Sequence, residues 1–94
     1  MADVIAHQYT GIPEQWQATV SEAIQLALQV FGDDVGTPQL ETDPEDDLSW
    51  VSIPIRARGE VRQILDKYDE LVELMVQTLT PQQRQKVAID LRLQ

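Results

Sequence analysis

The stretch from Leu48 to Leu93 decides the fold, and it reads LSWVSIPIRARGEVRQILDKYDELVELMVQTLTPQQRQKVAIDLRL. From Leu48 the pattern changes to period two, with Val51, Ile53 and Ile55 on one face, as in a half-buried strand. The other face carries Ser52, Pro54 and Arg56. Residues 87–93 alternate in the same way and predict a second strand, although their apolar residues are also spaced four apart, as in a helix. The apolar members of the two runs are Val51, Ile53, Ile55, Val87, Ile89, Leu91 and Leu93.

Between these runs the apolar period changes to that of a helix, which we expect from Gly59 and Glu60 to about Leu79. Pro81 cannot continue this helix, and Thr80 with Gln83 has the spacing of a capping box that starts one further turn. The predicted buried stripe has successive spacings of 4, 3, 4, 3 and 4, and it is broadened by Ile64, Leu71, Leu74 and Val76. Its members are Val61, Leu65, Tyr68, Val72, Met75 and Leu79.

An earlier helix is predicted from near Pro13 to Phe31, because proline suits a helix start and Gly32 suits a helix end. Its buried stripe is predicted to contain Trp16, Val20, Ile24, Ala27 and Phe31. A strand, a crossover helix and a second strand normally place the two strands parallel in one sheet. We therefore predict a two-layer α+β fold, with two main helices on one face of a small mixed sheet of about three strands.

The order of elements is then helix, optional strand, strand, helix and strand, within a single domain of residues 1–94. Residues 1–11 are expected to be a loose tail or an edge strand around Val4 and Ile5. Residues 32–47 are expected to form an acidic loop that holds the optional strand near Gln39 to Thr42. Pro54 lacks an amide hydrogen, so its nitrogen should face an edge, a bulge or a strand end.

Charge is unevenly distributed along the chain, with ten acids and no Lys or Arg before Arg56. The net charge of −9 disfavours direct binding to nucleic acid or to an anionic membrane and favours a basic protein partner. The chain has no cysteine, which excludes disulfides, thiol nucleophiles and Cys-ligated metals. A cytoplasmic location and no cofactor are expected.

The first candidate site is the acidic segment at residues 41–47. Calcium is chemically possible there, but the spacing does not match an EF-hand loop, so a solvated acidic loop is preferred over a metal site. A third interpretation is recognition, in which the loop docks on a basic partner or imitates nucleic-acid phosphates. Trp50 falls on the strand face opposite Val51, where it would serve as an aromatic interface anchor, fold over the sheet edge or be covered by the N-terminal tail. The predicted partner-binding residues are Glu41, Asp43, Glu45, Asp46, Asp47 and Trp50.

The second candidate site is the group Arg56, Arg58 and Arg62 around Gly59, where a strand leads into a helix. Helix N-termini and the carboxyl ends of strands favour anions, so this turn would suit an anionic ligand. The sequence there is neither a Walker loop nor a GxGxxG turn. Surface ion pairs with the acids at 41–47 are therefore the preferred interpretation of these arginines.

Catalytic constellations are largely missing from the sequence, because His7 is the only histidine and cysteine is absent. The predicted function is accordingly a non-enzymatic protein-interaction module, an acidic adaptor or an inhibitor of a basic partner. One alternative is a small regulatory domain that binds an anion at the arginines. Another is a self-associating protein, such as a homodimer, that buries Trp50 and the open sheet face.

Overall fold

The computed structural model describes residues 11–94, in which two long helices pack on a three-stranded sheet. This arrangement confirms the predicted two-layer α+β fold and its order of elements. The predictions for a tail or strand at residues 1–10 lie outside the described residues. The elements are α1 (Glu14–Phe31), β1 (Gln39–Asp43), β2 (Leu48–Ala57), α2 (Val61–Thr78), α3 (Pro81–Arg84) and β3 (Val87–Leu93).

The sheet has the order β1-β2-β3 and is mixed. β1 and β2 form an antiparallel hairpin whose register runs from Gln39 opposite Ser52 to Asp43 opposite Leu48. β2 and β3 are parallel, as the crossover through α2 requires, and Val51 lies opposite Val87. The optional strand within the acidic loop is therefore real, and it is one edge of the described sheet.

Pro54 lies inside the central strand β2, but its nitrogen faces a gap in the ladder. The amide of Val51 donates to the carbonyl of Lys86 on the β3 side, so the nitrogens of even-numbered residues face β1. β1 begins opposite Ser52, so Pro54 lies just beyond it, where Gly36 N donates to Pro54 O over 2.7 Å. A Cβ at Gly36 would stand 3.0 Å from Pro54 Cγ, so this close approach favours glycine.

The core fills one face of the sheet and is covered by both long helices. Val51, Ile53 and Ile55 of β2 are fully buried there, as their period-two spacing predicts. α1 starts directly after Pro13 and ends at Phe31, with Gly32 following it as predicted. Trp16 lies beneath the Lys86 ammonium at 4.9 Å. The helical core residues include Val20, Ala23, Ala27 and Phe31 from α1 and Ile64, Leu71 and Met75 from α2.

The predicted buried stripe of α2 is wrong at three of its six positions. Met75 and Leu79 are buried and Tyr68 is half-buried, but the other three predicted members are exposed. The residues that face the core lie one position away, because α2 is apolar on two adjacent faces and only one of them meets α1 and the sheet. We call the exposed apolar residues the α2 stripe: Val61, Leu65, Val72 and Val76.

The capping box after α2 forms as predicted. Thr80 N donates to Gln83 Oε1 over 2.8 Å, and Gln83 N donates to Thr80 Oγ1 over 3.1 Å. Arg84 then donates to the carbonyl of Leu79 at 2.9 Å, which satisfies an acceptor left unpaired after α2. None of the helices within residues 11–94 has the length and apolar character needed to cross a membrane.

Candidate functional site

The sheet has a second face, opposite the helices, that we call the open face. Alternation along each strand decides which side chains lie on it, and the strand registers place them in rows. The described helices pack on the other face, so none of them covers these residues. The open face contains Glu41, Asp43, Leu48, Trp50, Ser52, Pro54, Arg56, Ala88, Asp90 and Arg92.

The hairpin brings the predicted partner-binding residues together at one end of the open face. Glu41 lies directly opposite Trp50, and Asp43 lies opposite Leu48. Side chains at such directly opposed positions are close neighbours, so a carboxylate stands beside the indole. We call residues 41–47 the acidic hairpin, since they comprise the end of β1 and the turn that leads into β2.

Two acids of the acidic hairpin shape its turn. Asp43 Oδ1 accepts a hydrogen bond from Glu45 N over 3.0 Å, which is an Asx-type turn contact. Asp47 has a φ of 55°, a left-handed conformation that Asp tolerates better than most residues. The side chains of Glu41, Glu45 and Asp46 are exposed, and no described Lys or Arg nitrogen lies within 4 Å of their carboxylates.

Trp50 is half-buried beside a shallow, largely apolar depression of ≈ 480 Å³ between the first residues of β2 and β3. Leu48 and Ala88 line this depression, and Leu48 is 59% exposed. An aromatic residue next to exposed apolar surface, with acids at its border, has the composition of a small protein-interaction surface. The structure thus joins the acidic segment and Trp50, which the sequence identified separately.

The opposite end of the open face carries arginines. Arg56 lies beside Arg92 in the β2–β3 register, and Arg58 follows at the end of β2. These three side chains line an open pocket of ≈ 480 Å³ together with Asp33 and Asp34. Its arginine set differs from the predicted anion-binding set, Arg56, Arg58 and Arg62. Arg62 belongs to α2 and does not line the pocket, whereas Arg92 does.

The expected pairing of these arginines with the acids at 41–47 is not found. Leu48, opposite Asp43, is eight residues from Arg56, about 26 Å along an extended strand. Within residues 11–94 the only ion pair shorter than 4 Å joins Arg92 Nη2 to Asp90 Oδ2 at 2.8 Å. The open face is therefore acidic at one end and basic at the other.

Among residues 11–94, no three His, Cys, Asp or Glu side chains are grouped so that they could hold a metal ion. His7 lies outside the described residues. Comparisons with protein-family models, with curated proteins and with solved structures found no match to this chain.

Proposed function

We propose that this protein is a non-enzymatic interaction module that docks its acidic hairpin on a basic partner protein, as an adaptor or as an inhibitor. One observation supports this best: the β1–β2 register sets Glu41 opposite Trp50, so acids border an aromatic anchor on a face that no described helix covers. In this proposal the protein works in the cytoplasm, in keeping with the absence of cysteine.

The two kinds of residue have different roles in the proposed interface. Trp50 and Leu48 supply apolar area, which stabilises a complex when it is removed from water. The exposed carboxylates of the acidic hairpin attract a basic surface from a distance and raise the association rate, most strongly at low salt. The net charge of −9 acts in the same direction and disfavours acidic partners.

A charge-reversal variant with a matched control tests this proposal. The test variant carries Glu41→Lys, Glu45→Lys and Asp46→Lys and keeps Asp43 and Asp47, because those two residues shape the turn. The control carries Asp66→Lys, Glu70→Lys and Glu73→Lys. These residues are exposed on α2, and their reversal changes the net charge equally.

Both variants and the natural chain serve as baits in a source-cell lysate, with salt elution and mass spectrometry of the bound proteins. We expect the natural chain and the control to retain the same basic protein, and salt to release it. The hairpin variant should bind that protein at least about tenfold more weakly, since several favourable charge contacts become repulsive. Equal capture by all three baits, or capture by none, would contradict the proposal.

The arginine pocket supports a second candidate function, a regulatory domain that binds an anionic ligand. Its specific support is that Arg56 and Arg58 line one pocket with Arg92 and that neither makes an ion pair with a described acid. Guanidinium groups are well suited to phosphates and carboxylates because they donate in a planar fork. Asp33 and Asp34 in the same pocket would restrict it to ligands that also offer donors.

Thermal unfolding with phosphoethanolamine, which carries an anionic phosphate and an ammonium donor, compared with chloride at equal ionic strength, tests this second candidate. A ligand at a hundred times its Kd adds about 2.7 kcal/mol of stability, which raises the Tm of a domain of this size by roughly 10–20 °C. We expect that rise to disappear in the double variant Arg56→Gln, Arg58→Gln and to persist in Arg62→Gln, which lies outside the pocket. An unchanged Tm in the natural chain would remove this candidate.

A further inference from the structure

β3 presents an unpaired backbone edge within the described sheet. Lys86 O accepts from Val51 N, and Gln94 N donates to Ala57 O, so the even-numbered residues of this segment point their polar backbone groups toward β2. In a strand these groups alternate in direction, so the odd-numbered residues Ile89, Leu91 and Leu93 point theirs away from β2. No described strand lies on that side. Such an edge is a template for another strand.

The α2 stripe borders this edge and is apolar. A groove of ≈ 360 Å³ separates α2 from β3, and its walls include Val72, Val76 and Ile89. Val61 and Val76, at the two ends of the stripe, are 51% and 53% exposed, and Leu93 at the end of β3 is 52% exposed. Exposed apolar residues in a row on one helix, next to a strand edge that no strand of residues 11–94 pairs with, indicate an interface.

We propose that a second copy of this chain covers this edge, with β3 pairing antiparallel to its counterpart about a two-fold axis at Leu91. Charge complementarity selects this occupant and this register. In an antiparallel pair, the residues whose backbone groups face the partner lie opposite one another, so odd-numbered residues of one copy lie opposite odd-numbered residues of the other. The two-fold axis must then pass through one residue of β3 and not between two residues. An axis at Leu91 sets Asp90 of each copy opposite Arg92 of the other.

Three of the neighbouring registers, with axes shifted by one or two residues, place like charges opposite one another. An axis at Asp90 places that carboxylate against its own counterpart, and an axis at Arg92 does the same for the guanidinium. An axis at Ile89 sets Lys86 against Arg92. Axes at Ala88 and Leu93 avoid such repulsive pairs, but within β3 they form only two and one odd-numbered pairs, respectively. The register centred on Leu91 avoids them and forms three such pairs, with about six backbone hydrogen bonds, two for each pair.

The resulting dimer has one continuous six-stranded sheet with the helices of both copies on the same face. The apolar row Ile89, Leu91 and Leu93 becomes continuous with its counterpart, and the two α2 stripes meet beneath it. This interface uses neither the acidic hairpin nor Trp50. It therefore goes beyond the proposed function, and each proposal is able to fail without the other.

Sedimentation equilibrium of charge variants tests the dimer. At about 150 mM salt, where the Debye length is about 8 Å, we expect the natural chain to have twice its 10.7 kDa mass. Asp90→Arg and Arg92→Asp should each give monomer, because both place like charges opposite one another twice. The double variant should restore the dimer. A monomeric natural chain, or a dimer that survives either single reversal, would overturn the proposal.

Cross-linking tests the register and separates this edge from the open face. Asp90 and Arg92 form a non-hydrogen-bonded pair across the axis, with Cα atoms about 4.5 Å apart, within reach of a disulfide. A mixture of Asp90→Cys and Arg92→Cys chains should therefore link under mild oxidation, whereas neither variant alone should. Leu65→Asp, on the α2 stripe, should weaken the dimer at least about tenfold, and Trp50→Glu should not. A cross-link that forms in either cysteine variant without the other would contradict this geometry. Dissociation of the dimer by Trp50→Glu and not by Leu65→Asp would also contradict it.

Discussion

Leu71→Ala is expected to lower the free energy of unfolding by about 3 kcal/mol, or roughly 12–24 °C in Tm. Leu71 is fully buried, in the core where α2 packs. Its removal leaves a cavity that the surrounding side chains fill only partly, so the loss includes both transfer and cavity contributions. Denaturant unfolding followed by tryptophan fluorescence measures the change.

The matched control is Leu65→Ala on the same helix. Leu65 is 48% exposed, so its truncation should cost only about 0.5 kcal/mol in the monomer. Introducing each substitution in the Asp90→Arg background, which is expected to be monomeric, keeps self-association from contributing to the result. The comparison decides which apolar face of α2 meets the core, and equal losses from the two substitutions would contradict the structure.

Gly59→Ala is expected to cost about 1–3 kcal/mol through backbone strain alone. Gly59 links β2 to α2 with a φ of 122°, which side-chain-bearing L residues rarely adopt. No heavy atom would lie within 4 Å of an added Cβ, so steric contact with the neighbouring structure contributes nothing. Denaturant unfolding of the variant measures the cost.

A synthetic chain with D-alanine at position 59 is the control for strain. A φ of 122° is the mirror image of −122°, a value that L residues commonly adopt, so a D residue adopts this φ without the strain of an L residue. The D residue also reduces the freedom of the unfolded chain, so stability should rise by about 0.4–1 kcal/mol. Equal losses from the L and D residues would show that the space around position 59, and not its φ, limits substitution.

Local patterns predicted most of the fold because each element depends on its own residues. The alternation at 51–56 and 87–93 identified β2 and β3, and the Thr80–Gln83 spacing identified the capping box. The orientation of α2 was only partly predictable in this way, since the exposed α2 stripe is apolar like the neighbouring face that is buried. Which face meets the core depends on α1 and the sheet, and helical period alone does not contain that information.

The candidate site was predictable in its parts but not in its assembly. Composition alone identified the acids at 41–47 and the arginines near Gly59. The hairpin register places Trp50 beside Glu41, and the pairing of β3 with β2 brings Arg92 to Arg56 across 36 residues of sequence. Arg62 is close to Arg58 in sequence but lies on α2 and outside the pocket, because α2 begins between the two residues. Non-local pairing of this kind is set by the whole fold.

The two strand pairings differ in the length of chain that each must close, and this difference bears on the order of folding. β1 and β2 are joined by residues 44–47, whereas β2 and β3 are joined through residues 58–86, which include α2. A hairpin forms in about 1–10 μs, but closure of a longer segment costs more entropy and is slower. We therefore expect the hairpin to form early and the docking of β3 to limit the folding rate. The acidic hairpin would then take shape before the rest of the sheet is assembled.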